Sequence, residues 1–143
     1  MVKPSRRMAV LGRLARLREA ERQHAASSAA QAYGAHDKLV QLYARSNEIA
    51  AGHAVRREAA SGDELGAQLR FMAGLDAIIR DTRQAEAEAQ RLSERALLHL
   101  RQAERRRDRV TERLGEERRA VDRTNLTRES AVSANLARKL KGS

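Results

Sequence analysis

Pro4 is the only proline in 143 residues, so nothing beyond it forbids a helix. A proline inside a helix removes a backbone hydrogen bond and clashes with the preceding turn, whereas one in the first turn is tolerated. The residues that follow are mostly Ala, Leu, Arg, Glu and Gln, the strong helix formers. Large aromatics number three: Tyr33, Tyr43 and Phe71. A layered domain of this length leans on aromatic and β-branched residues for its core. Here the hydrophobic share is 41%, chiefly Ala and Leu, beside 34% charged residues. That balance predicts an all-α chain of long helices. Disorder is the alternative for so polar a composition, and apolar periodicity argues against it.

One break stands out, Ala60-Ser61-Gly62-Asp63-Glu64. Gly62 permits a backbone reversal. Ser61 and Glu64 have the spacing of a capping box, and Asp63 and Glu64 suit the positive end of a helix dipole. The expected division is a first helix over about residues 4–58, a bend over 59–63 and a second helix over 63–139. Gly34 and Gly52 weaken the first helix, with a kink or fraying expected near Gly52. The second helix carries a heptad, with position a at Leu65, Met72, Ile79, Glu86, Ser93, Leu100, Arg107, Leu114 and Val121. Its d positions are Gln68, Leu75, Thr82, Ala89, Ala96, Ala103, Val110, Glu117 and Thr124. In the first helix, a is assigned to Leu11, Arg18, Ala25, Ala32, Leu39 and Ser46, and d to Leu14, Glu21, Ser28, Ala35, Leu42 and Ile49. Two such helices joined by one short bend form a long antiparallel two-helix coiled coil, with a left-handed supercoil. Folding about Ser61 sets Leu42 opposite residues 79–81 and Leu11 near Val110 and Leu114. The last ~25 residues are then an overhang with no intramolecular partner, on a paired rod of roughly 80 Å. The polar seam residues either set register or leave packing for an external partner to complete, and the second reading is preferred here.

The formal net charge is +10, supplied almost wholly by arginine. Divided at Ser61, the first part carries +6 and the second +4, so the excess reads as spread over both halves. It reflects either base composition of the gene or an acidic partner. There is no cysteine, hence no disulfide or thiolate metal site. Arg6-Arg7 superficially suggests a twin-arginine export signal, but Arg13, Arg16 and Arg18 interrupt any apolar region behind it. No stretch approaches the ~20 apolar residues that span a bilayer, and the expectation is a soluble cytoplasmic protein.

Nothing in the sequence assembles a catalytic centre, and the expectation is a protein that is not an enzyme and holds no cofactor or metal. His24, His36, His53 and His99 include no pair three or four apart that could chelate a metal on a helix. No serine stands in a nucleophile elbow, and the glycines form no phosphate cradle. Three features could bind partners instead. The first is an apolar group near the bend: Phe71, Leu75 and Ile78 with Leu42, Tyr43 and Ile49, read either as a wider core or as a docking patch. The second is a set of arginine clusters, Arg6–Arg7, Arg105–Arg107 and Arg118–Arg119, read as a solvated face or as a grip on an acidic surface. The third is the overhang, with Leu126, Val132, Leu136 and Leu140.

Local patterns carry a resemblance. Leu39-Val40-Gln41-Leu42-Tyr43, then Leu69-Arg70-Phe71-Met72-Ala73-Gly74-Leu75-Asp76-Ala77-Ile78-Ile79, then Arg105-Arg106-Arg107-Asp108-Arg109-Val110-Thr111-Glu112-Arg113-Leu114 resemble the FliJ family of the bacterial flagellar type III export apparatus. That family is related to the YscO-type stalks of virulence secretion systems. The resemblance implies a non-enzymatic stalk peripheral to the inner membrane. One end, with Arg6, Arg7, Leu11, Arg105, Arg106, Arg118 and Arg119, would enter a hexameric export ATPase (FliI-like). Leu42, Tyr43, Ile49, Phe71, Leu75 and Ile78 would dock on the membrane export gate (FlhA-like). The resemblance also implies an escort role toward export chaperones. The chain has Arg45 and Ile49 where the family often has aromatic side chains. Rival readings are the corresponding virulence-system stalk, a basic helical nucleic-acid-binding protein and an anionic-membrane binder.

Overall fold

The computed structural model describes residues 4–55 and 62–142. The chain is all-α: α1 spans Pro4–Val55 and α2 spans Gly62–Lys141, packed against each other as a helical hairpin. Pro4 opens α1 where its missing N–H costs nothing. Asp63 and Glu64 lie in the first turn of α2, and Arg138, Lys139 and Lys141 in its last, each at the dipole end that favours its charge. Gly142 N–H donates to the Arg138 carbonyl at 3.0 Å and closes the C-terminus of α2. α1 runs through Gly34 and Gly52 without a break, so the fraying expected near Gly52 does not occur there. Residues 56–61, including Ser61 of the expected capping box, lie outside the described residues. Gly62 is the first residue of α2, one position before the expected start, and no described glycine has a positive φ.

Both helices pass through two compact units. The central unit is Ala25–Leu100, and the terminal unit is Met1–His24 with Arg101–Ser143. In the central unit the heptad expected of α2 is present: Gln68, Met72, Leu75, Ile79, Thr82, Glu86, Ala89, Ser93, Ala96 and Leu100 are all buried or half-buried. Leu65, the first expected member, is exposed. The seam continues in the terminal unit through Ala103, Arg107, Val110, Leu114, Glu117 and Val121, then stops. Every residue from Asp122 to Gly142 is exposed, as expected of the overhang.

The register of α1 differs from the expected one in the central unit, whereas in the terminal unit the expected Leu11, Leu14, Arg18 and Glu21 are all half-buried. In the central unit its covered residues are Ala25, Ala26, Ala29, Ala32, His36, Leu39, Tyr43, Ser46, Ala50 and His53. Ser28, Ala35, Leu42 and Ile49, expected at d, are exposed. In the central unit the partner of each expected a residue is therefore four positions on, not three. Both phases give alternating steps of three and four, and Leu42 and Ile49 favoured the wrong one. Ala29, at 4% exposed, buries too little area to reveal itself in sequence. Renamed accordingly, α1 has a at Ala29, His36, Tyr43 and Ala50, d at Ala25, Ala32, Leu39, Ser46 and His53, and g at Ser28, Ala35, Leu42 and Ile49.

Alanine and small polar residues dominate the interior. The most buried are Ala29, Leu75, Ala89 and Ala103, with Ser46, Thr82 and Ser93. Ser93 Oγ satisfies itself by donating to the Gln90 carbonyl at 2.8 Å, the back-bonding that lets a hydroxyl sit in a helix interface. Some charged seam residues lie beside opposite charge within the chain, although Arg18 Nε and His36 Nε2 are buried without a hydrogen-bond partner among the described residues. Arg18 donates to Glu21 at 2.9 Å on α1, Arg107 lies 3.5 Å from Glu19, and His36 Nε2 lies 3.6 Å from Glu86. Such contacts are compatible with the register-setting reading of the polar seam.

Candidate interaction surfaces

Reversing one helix of a coiled coil brings g positions beside g positions and e beside e. Contacts in each unit lie on or beside the seam. In the central unit His53, at d of α1, stacks on Phe71, at g of α2, with ring centroids 4.5 Å apart. In the terminal unit Arg7, Val10 and Leu11 of α1 line a groove of about 450 Å³ with Arg113 and Glu117 of α2. Here Arg113 is a g residue of α2. On the other flank, Glu19 meets Arg107 at 3.5 Å.

This register puts four of the six expected docking residues on one flank of the central unit. Phe71 and Ile78 are the g residues of α2, and Leu42 and Ile49 those of α1. All four are about half exposed, at 48%, 51%, 48% and 45%. Ala35, Ala85 and Leu92 extend the same two rows, and Leu92 is 57% exposed. The remaining two expected docking residues belong inside. Leu75 is 8% exposed and Tyr43 half-buried, both on the seam, so their apolar surface is already spent on helix packing. Sequence reasoning missed His53, whose ring supports Phe71. The expected series through Leu39 and Ser46, carried one step of seven further, reaches His53 and would have found it.

The arginine clusters gather in the terminal unit. Arg6, Arg7, Arg105, Arg106, Arg118 and Arg119 are exposed there, and Leu11 is half-buried. The unit holds 20 basic and 9 acidic residues, hence +11, while the central unit holds 9 basic and 10 acidic residues, hence −1. Cutting the sequence at Ser61 hid this, because each half contributes one basic and one balanced segment. The excess is segregated by the fold and not spread. The three aromatics all fall in the central unit.

No family model, curated protein or solved structure matches the chain. The surfaces must therefore be read from their own chemistry. Among the described residues no three His, Cys, Asp or Glu side chains group as metal ligands, and no helix is long and apolar enough to cross a membrane. Ion pairing locally tunes the terminal unit. The hydrogen bond from Arg22, at 2.8 Å, is the main cause holding the Glu19 carboxyl below its usual value, and the Arg22 guanidinium is raised in turn. Arg107 is raised chiefly by its hydrogen bond to Asp108 at 2.9 Å. One unit offers fixed positive charge and the other an apolar flank. Each suits the capture of a macromolecule.

Proposed function

We propose that this chain is a non-enzymatic coupling protein of a bacterial type III export apparatus, the flagellar one in the first reading. In this role the basic terminal unit engages the hexameric export ATPase and the apolar flank of the central unit engages the membrane export gate. It would act in the cytoplasm, at the membrane only through its partners, and would escort export chaperones. The observation that supports this most is the sorting of two unlike surfaces into two units of one helical hairpin: +11 in one, an exposed Phe71–Ile78–Leu42–Ile49 flank in the other. A hairpin with two unlike adhesive faces has the means to bring two proteins together. A stalk protein of a virulence secretion system has the same physical requirements.

The test is co-purification from the source cell. A hexameric ATPase and an export-gate protein recovered together with the chain support the proposal. Arg105→Glu with Arg106→Glu should release the ATPase alone, and Phe71→Ser with Ile78→Ser the gate alone. Recovery of neither protein removes the reading.

The concentrated charge of the terminal unit favours one rival, nucleic-acid binding. Against it, Glu104, Asp108, Glu112, Glu116 and Glu117 interleave the arginines, and the unit has no aromatic on which a base could stack. A DNA mobility shift titrated with salt decides between them. Phosphate binding falls steeply as salt rises, and a shift that persists at physiological salt would favour the rival.

A further inference from the structure

The apolar flank of the central unit is bordered by charge of opposite sign on its two sides. Along Ala35–Ile49 of α1 the charged residues just outside the g row are Lys38 and Arg45, and along Phe71–Ala85 of α2 they are Asp81 and Glu88, all four exposed, with Arg95 following only beside Leu92. Both borders follow from the register. They occupy position c, which lies next to g around the helix. No charge lies in the g rows between them: Ala35, Leu42 and Ile49 on one helix, Phe71, Ile78 and Ala85 on the other.

We infer that this flank receives one amphipathic helix of a partner protein, whose apolar stripe is edged by acidic residues on one margin and basic residues on the other. The inference rests on the reading of the flank as a docking face and adds the chemistry of its occupant. Two rows of half-exposed apolar side chains repeating every seven residues offer a helix a groove, in the manner of a third strand of a coiled coil. The borders then discriminate. A helix acidic on both margins meets Asp81 and Glu88, and one basic on both meets Lys38 and Arg45. Only the two-signed helix satisfies both. The borders also set its direction, because turning such a helix end for end exchanges its margins. Charge at a rim chooses partners and orientation more than it supplies affinity.

Three synthetic helical peptides test this, sharing one Leu/Ile stripe and differing only in their margins: two-signed, all-acidic and all-basic. Each is titrated against the full chain by fluorescence anisotropy. The two-signed peptide should bind about tenfold more tightly than either other, the sum of a few exposed ion pairs gained and like-charge contacts avoided. Lys38→Glu with Arg45→Glu makes both borders acidic and should transfer the preference to the all-basic peptide. Those side chains are exposed, so helicity should be unchanged. Equal affinities for the three peptides, or an unswitched preference in the variant, overturn the inference while a gate protein that still binds preserves the docking reading. Concentration-dependent self-association of the chain alone, abolished by Ile78→Ser, assigns the flank to a second copy and overturns it as well.

Discussion

Arg107 of α2 reaches Glu19 of α1, with 3.5 Å between Nη1 and Oε2. Glu19 also accepts from Arg22 on its own helix, and the two cations hold its carboxyl below the usual glutamate value, Arg22 more than Arg107. A carboxylate lowered in the folded state stabilises the fold above its unfolded value, ~4.3, and that contribution fades as pH falls through the folded value. Glu19→Gln should therefore lower the thermal midpoint at neutral pH, and the gap to the parent should close in acid. Midpoints followed across pH check this; a gap that stays constant into strong acid would show that Glu19 acts by packing alone.

The α1 register separates two adjacent residues. Ala29 is 4% exposed, while Ser28 is exposed. Ala29→Glu would bury a charge against α2 and should cost about 2 kcal/mol or more, while Ser28→Glu should change stability by less than about 0.5 kcal/mol. Urea unfolding of the two variants measures both, and the opposite order would restore the phase first expected from sequence.

Helix propensity is unspent at two glycines. A Cβ added at Gly34 or Gly52 meets nothing within 4 Å, and neither has a positive φ. Alanine at each should stabilise the chain by roughly 0.5–1 kcal/mol, mainly by restricting the unfolded chain. A higher unfolding midpoint for each single variant, adding in the double, is the expected result; destabilisation would reveal a need for glycine there.

Leu75 and Ile78 should part company under mutation. Leu75 is 8% exposed and Ile78 51%. Leu75→Ala should cost about 2–4 kcal/mol through the lost burial and the cavity it leaves. Ile78→Ser should stay within about 0.5 kcal/mol in stability yet weaken capture of a partner by the flank. Equal losses of stability would make the flank part of the core.

Removal of residues 122–142 should leave the unfolding midpoint of the remainder nearly unchanged, since every one of them is exposed. Thermal melts followed by helicity would show this, with signal lost only in proportion to length. A large drop in midpoint would mean that the overhang packs on something.

How much of this was legible in the sequence depended on side-chain size. The two helices were, because Pro4 stands alone and strong formers fill the rest. The α2 seam was, because Met72, Leu75, Ile79 and Leu100 fix its phase. The α1 phase was not: Ala25, Ala29 and Ala32 are too small to announce a face, while the large Leu42 and Ile49 sit outside it. The docking flank was half legible, since those two residues were named for binding and also wrongly placed on the seam. The charge segregation was invisible along the chain because it exists only once α1 and α2 have folded back, bringing Arg6 and Arg7 into one unit with Arg105 and Arg106.

That segregation governs how the molecule meets others before it touches them. A unit at +11 projects a field to roughly a Debye length, about 8 Å at physiological salt, whereas a unit at −1 projects almost none. Tumbling past an acidic surface, the chain feels a torque that turns its arginines forward, so collisions become aimed. Added salt would blunt the aim and slow capture there, while an encounter through Phe71 and Ile78 would proceed at its own pace.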